Sequence, residues 1–466
     1  MKFFWFCSKG FIRICPALVC FLWSGILVIR AADLYVTTNG TGDGSSWANA
    51  TNSIQGAIDT ISGSYNTNTV WVSNGVYQTS GVTNYPTGTL LTNRVAIYKA
   101  ITVRSANNDP TNTIIKGAWA SDGSTNGPDS VRCVYMFAGS SLIGFTLTNG
   151  STLVSGFGGA GVYAEGIANC LISNCIIVGN AADFVNLTYA GGVRYGTVKN
   201  CIVAGNMAQS AGGVYYSKVF DSRILNNSGA SYSGGGAGTG CLLSNCTLSG
   251  NSGKVGSGGA YQSTLINCTL SNNYGYGGSG GGANACILTN CVLIDNYSLS
   301  GGGAAASTLY NCLVAGNSVT GAWNSGGGGT YGGTLYNCTV VSNYTSYTTG
   351  GSGGGGGVAT GRMYNCIVYF NIAFTNNNCH NMMGATNCCT TPAISGDGNI
   401  TGNPMFVNTN AGNYRLAEYS PCINTGTNQD WMTNAVDLDG RIRIRYGRVD
   451  MGAYEHLYKG TIFSVY

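Results

Sequence analysis

One feature constrains this chain more than any other: an Asn-Cys step that recurs along its middle. It stands at Asn174-Cys175, Asn200-Cys201, Asn245-Cys246, Asn267-Cys268, Asn290-Cys291, Asn311-Cys312, Asn337-Cys338 and Asn365-Cys366, with Asp221-Ser222 filling the one gap. Successive steps are 21 to 28 residues long. An aliphatic residue follows two places after each Cys and an Asn five places after, as in Cys201-Ile-Val203-Ala-Gly-Asn206. A second mark, Gly-Gly followed by Val or Ala, precedes the Cys by eight or nine residues in most units. Examples are Gly191-Gly192-Val193 and Gly258-Gly259-Ala260. Repeats of this length point to stacked supersecondary units, none of which can close a core alone.

The pattern inside a unit selects the architecture. In Thr197-Val-Lys-Asn200-Cys201-Ile-Val203 the inward candidates are Val198, Cys201 and Val203. A strand alternates faces with period two, so the odd step from Val198 to Cys201 breaks the alternation at Asn200. That break predicts a corner, and Asn tolerates the left-handed backbone a corner requires. The reading is an all-β, right-handed parallel β-helix rising about 4.8 Å per coil, with N-terminal and C-terminal caps. Its expected divisions are a signal peptide (1–32), an N-terminal cap with first coils (33–130), the repeats (131–375) and a C-terminal cap region (376–466).

Composition decides between readings of the cysteines. The chain has 19 Cys, 16 of them after residue 32. Basic residues, an apolar run from Ile14 to Ile29 and then Arg30-Ala31-Ala32 have the layout of a secretory signal, so the expected location is secreted or cell-surface. Exported, Cys-rich chains usually carry disulfides. Here the spacing instead stacks Cys over Cys inside the coils, where parallel side chains bond poorly and thiols act as small hydrophobes. Cys379, Cys388, Cys389 and Cys422 lie outside the repeat, where pairing is more plausible. Beyond residue 32 the chain holds 17 basic and 17 acidic residues. That balance argues against a nucleic-acid surface. No stretch besides the leader is long and apolar enough for a spanning helix.

The ends carry further motifs: Gly42-Asp-Gly-Ser-Ser-Trp47, Val70-Trp-Val-Ser-Asn-Gly-Val-Tyr77, Asn403-Pro-Met-Phe406, Ser420-Pro-Cys-Ile423, Asp437-Leu-Asp-Gly-Arg441 and Val449-Asp-Met-Gly-Ala-Tyr-Glu455. With the Gly-Gly-Ala coils they resemble bacterial secreted β-helix proteins of the pectate-lyase-like superfamily, similar to the repeats of polymorphic outer-membrane proteins. The usual Phe of that repeat is Val, Leu or Ile here, and no membrane barrel follows Glu455. The resemblance implies a β-helix; the superfamily includes polysaccharide lyases and hydrolases.

Chemistry must be sought in residues that vary between coils. Residues 184–394 contain two acids, Asp221 and Asp295, in different corner positions, so no carboxylate pair for glycoside hydrolysis stands out. Glu165, Asp183 and Arg194 are near in sequence and are a weaker candidate set. The residue after the Gly-Gly-Val/Ala position of each coil should point outward, giving the row Tyr163, Arg194, Tyr215, Gly238, Tyr261, Asn284, Ala305, Tyr331 and Ala359, with Tyr163, Arg194, Tyr215, Tyr261 and Tyr331 as candidate ligand-binding residues. The rival reading is ordinary cross-strand Tyr stacking. Asp437, Asp439 and Asp450 offer oxygen ligands for Ca²⁺, against a plain Asp-Gly turn; no other cofactor is implied. The leading expectation is a non-enzymatic β-helix binding a polysaccharide or cell-surface partner. The alternatives are a divergent polysaccharide lyase or glycoside hydrolase, and a structural spacer or adhesin stalk.

Overall fold

A computed structural model describes residues 33–458, apart from 63–67, 123–124, 153–156, 167–168, 184–187, 231–233, 321–325 and 347–353. The expected leader, 1–32, lies outside the described residues. Among those residues no helix is long and apolar enough to cross a membrane.

The coil that opens at Gly191 shows the plan. Val193–Arg194, Thr197–Lys199, Ile202–Ala204 and Met207–Ala208 are strands on four successive faces, here called I to IV. Each strand pairs in parallel with its equivalent one coil on; Val193, Val198, Val203 and Met207 meet Val214, Val219, Ile224 and Ser228. Faces II, III and IV are sheets of 14, 13 and 10 strands, and face I is divided into sheets of five and six. Together they form a right-handed parallel β-helix.

The predicted inward residues Val198, Cys201 and Val203 are all buried. The corner between faces II and III is where the alternation breaks. Asn174, Asn200, Asn245, Asn267, Asn290, Asn311, Asn337 and Asn365 all have φ between 49° and 55°, and Asp221 has 51°. The strands can be this short because a left-handed residue turns the chain in a single step.

The second Asn of each unit has a different task. From Asn180 through Asn206, Asn227, Asn251, Asn273, Asn296, Asn317, Asn343 and Asn371 to Asn378, each Nδ2 donates to the next Oδ1 at 2.9–3.1 Å. Each Oδ1 also accepts the backbone N–H of the preceding Asn, as Asn227 does from Asn206. The Gly-Gly pair faces this ladder. A Cβ on Gly282 would sit 2.6 Å from Gly303 O and 3.1 Å from the Asn296 amide. Any side chain there would push two coils or the ladder apart.

All 16 described cysteines are free thiols, 15 of them buried. The column thiols donate to backbone carbonyls, as Cys291 does to Thr289 O at 3.3 Å. Ser222 takes the same place with its hydroxyl, donating to Phe220 O. The expected pairing among the last four cysteines is not found. Cys388 continues the column, its Sγ 3.5 Å from Cys366 N, while Cys389 and Cys422 share a small apolar cluster as thiols.

At the start, helix α1 (Ile54–Thr60) is capped by Ser53, whose Oγ accepts from Gly56 N–H. Its Ile54, Ala57 and Ile58 join the coil core. Coil strands continue through Cys379–His380, Gly384–Thr386 and Cys389–Thr390. The chain then returns along the flank of the coils. Corner amides hold it there: Asn311 donates to Val436 O, Asn337 to Asp450 O, Asn365 to Thr427 O and Asn387 to Thr425 O. Tyr414, Ala453 and Tyr454 pack on Leu313, Ala315 and Val341 of face III.

Candidate functional site

Face I carries the outward row. Its inward partners Val134, Val162, Val193 and Val214 are fully buried, which turns the next residue of each strand to the other side. Register aligns Tyr135, Tyr163, Arg194 and Tyr215 on adjacent coils. Tyr135 and Tyr163 stack with centroids 6.1 Å apart. The Arg194 guanidinium lies over three rings, at 5.6 Å from Tyr163, 5.3 Å from Tyr189 and 4.8 Å from Tyr195. Tyr189 stacks on Tyr215 at 4.5 Å, and Tyr216 meets Tyr215 edge-on.

The row differs from the expected one at Tyr215. Tyr215 is 8% exposed rather than open, because Tyr189 covers its ring. As expected, the next place in the row is Gly238, so the aromatic run stops after Tyr215. The next coil has no two-residue strand here among the described residues and meets its neighbours through single bridges at Ala237. A Cβ on the following Gly238 would lie 2.6 Å from the Tyr215 ring, so that ring leans across the empty place. Tyr261 restarts the row beside Asn284, and Tyr331 stands between Ala305 and Ala359. Tyr163, Arg194 and Tyr215 therefore form one cluster, with Tyr261 and Tyr331 as single half-buried rings outside it.

Several members were not legible in the sequence. Tyr135 follows Val134 as Tyr163 follows Val162, but no Gly-Gly precedes it. Tyr195 and Tyr216 are left-handed corner residues, φ 65° and 51°, whose rings turn back to the row. Tyr189 belongs to a loop of variable length. Beneath the cluster is Arg132, fully buried, its guanidinium 5.1 Å from the Tyr163 ring. It donates to Asn93 Oδ1, Gly159 O and Phe157 O. Those acceptors keep the cation in place although burial lowers its pKa.

The acids do not assemble into an acid–base pair here. Glu165 accepts from the Tyr135 hydroxyl at 3.0 Å. Burial and that carboxylate push the Tyr135 phenol well above its usual range. Asp183 follows the face IV strand Ala181–Ala182, and its carbonyl accepts from the Thr188 hydroxyl. Asp221 turns the corner between faces II and III, and Asp295 the corner between III and IV.

The three aspartates considered for Ca²⁺ are otherwise engaged. Asp437 Oδ1 accepts from Asp439 N and Arg441 N, and its Oδ2 from Glu455 N. Asp439 is gripped by Arg415 through two bonds of 2.7 and 2.5 Å, with Arg441 at 3.1 Å. Asp450 accepts from Asn424 N and His456 N, each at 2.6 Å. These carboxylate–amide bonds hold the flank together. Among the described residues no group of three or more His, Cys, Asp or Glu is arranged to hold a metal.

No family model matches the sequence, and no curated protein matches it. Among solved structures the chain is similar to a pectate lyase, Pel9A, at 15% identity over 91% of this chain and 96% of that one, TM-score 0.39. It is similar to the A-module of the Azotobacter vinelandii mannuronan C-5 epimerase AlgE6 at 13% identity, over 75% and 94%, TM-score 0.40. It is also similar to XylC, solved with xylose, at 10% identity over 92% and 99%, TM-score 0.38.

Proposed function

We propose that this parallel β-helix is an exported, surface-acting protein that binds a neutral or weakly charged glycan without cleaving it. The observation that carries the reading is the face I cluster, in which the Arg194 guanidinium is shared among the rings of Tyr163, Tyr189 and Tyr195. Half-exposed aromatic faces with few polar groups suit the apolar face of a sugar ring, and fixed side chains lose little freedom on binding. The non-enzymatic part rests on the acids: Glu165 is engaged by Tyr135, and among the described residues no second carboxyl is recorded in contact with it to complete the pair that glycoside hydrolysis uses.

Titration of the exported protein with soluble neutral polysaccharides tests the reading. Binding should weaken at least tenfold in Tyr163→Ala and in Arg194→Ala. New reducing or unsaturated ends would replace it with the lyase or hydrolase reading. Unchanged binding in both variants would remove the cluster from the function.

A further inference from the structure

A separate cleft lies on face II, against the returning flank. Tyr310, Tyr336 and Tyr364 are register partners on successive coils and form a stack, with centroids 4.8 and 5.1 Å apart and planes within 5° and 11°. The stack ends at Tyr310, because the partner one coil back is Thr289. A threonine cannot cover a phenol ring, so one face of Tyr310 is left without a stacked neighbour.

Trp431, from the flank turn Asp430–Met432, stands next to this end. Its ring is 5.0 Å from Tyr310 and 6.3 Å from Tyr336, at 67° and 68° to their planes. A ring lying over the free face of Tyr310 would be much farther from Tyr336 than that. Trp431 is therefore beside the stack, at the level of Tyr310, and forms a wall. Its Nε1 donates to Gln429 Oε1 at 2.6 Å, and the buried Met432 anchors the turn. Asn311 Nδ2 ties the same segment to the coil through Val436 O at 2.8 Å.

Floor and wall enclose an open cleft of about 420 Å³, rimmed by Thr289, Asn290 and Asn434, with Asn311 at its base. Among the described residues no charged side chain lines it. Asn311 is 1% exposed, and its Oδ1 has no hydrogen-bond partner among the described residues. A buried acceptor without a donor carries an unmet desolvation cost.

We propose that this cleft is a binding site for an uncharged pyranose unit, with the C–H face of the sugar on Tyr310, its edge against Trp431, and its hydroxyls on the amides and Thr289. The size falls in the range of small-ligand sites, and the chemistry is one flat apolar floor with several neutral donors and acceptors. The site stands on its own geometry, independent of the face I cluster.

Isothermal titration with cellotetraose, xylotetraose and mannotetraose tests it. At least one should bind, and Trp431→Ala should weaken that binding tenfold or more. Thr289→Tyr provides the variant that keeps the fold: it extends the stack by one ring, fills the cleft and should remove the binding that Trp431→Ala weakens, while melting no lower than the parent and leaving any binding that depends on Tyr163 in place. Binding unchanged in both variants, or no heat with any of the three probes, overturns the proposal. Binding lost in Tyr163→Ala yet intact in Thr289→Tyr would favour face I and remove the cleft.

Discussion

Two columns of asparagine run the length of the coils, and the same residue type does different work in each. In the corner column (Asn200, Asn245, Asn267, Asn290) the backbone is what matters: φ is near +50° and the amides are largely at the surface. The side-chain bonds between coils there are few and long, such as Asn267 to Asn245 at 3.3 Å. In the ladder column (Asn206, Asn227, Asn251, Asn273) every amide is fully buried and bonds to its neighbours on both sides. One column supplies conformation and the other satisfies buried polar groups, so equal repetition in sequence does not mean equal energetic weight.

The sharpest break of this comparison is Asn273→Ala. It would leave Asn251 N–H and Nδ2 without their acceptor and Leu248 O without its donor. Buried orphans of this kind cost about 1–3 kcal/mol each, so chemical denaturation should show a loss of at least about 3 kcal/mol.

The returning flank sharpens the picture through the corner column's other half, where Asn311, Asn337 and Asn365 hold it. Its fully buried Arg443 contacts Glu455 at 3.1 Å. Burial, opposed by Arg443 but reinforced by Asp450, raises Glu455 from its ordinary 4.5 to about 8. The folded state thus keeps this proton to higher pH than the unfolded chain does. Stability from this group is complete below about pH 4.5 and is lost as pH climbs toward 8. Urea midpoints should fall between pH 5 and pH 8, and Glu455→Gln should flatten that fall.

The smallest effect belongs to the exposed corner. Asn267→Ala places a residue with no local polar group in the left-handed region and should cost about 1 kcal/mol. Asn267→Gly should cost close to nothing, since glycine takes that conformation freely. Equal losses for the alanine variants at positions 267 and 273 would erase the distinction between the columns.

Much of the fold was legible. The broken alternation at Asn200 located a corner, and the Cys spacing located a buried column. Those signals are local: strand periodicity and the left-handed tolerance of Asn act within a few residues. The candidate site was half legible. Tyr163, Arg194 and Tyr215 share a register that could be counted from Gly-Gly. Tyr189 and Tyr195 join them through a loop and a corner whose paths no local rule specifies. The covered ring of Tyr215 arose the same way, from packing between coils, whereas the gap at Gly238 stands in the sequence itself.

The sequence by itself thus determined the coil: its length, its corner residues, its inward aliphatic and thiol positions. Only the tertiary structure decided which residues far apart in the chain face each other. It set the Gly-Gly pair against the Asn ladder, where the next coil's carbonyl and the ladder amide leave no room for a Cβ. It folded the C-terminal run back along the flank, which spent the oxygens of Asp437, Asp439 and Asp450 on amides and arginines and brought Trp431 beside Tyr310. Short-range periodicity cannot encode such pairings; they follow from where the stacked coils leave unsatisfied groups and uncovered rings.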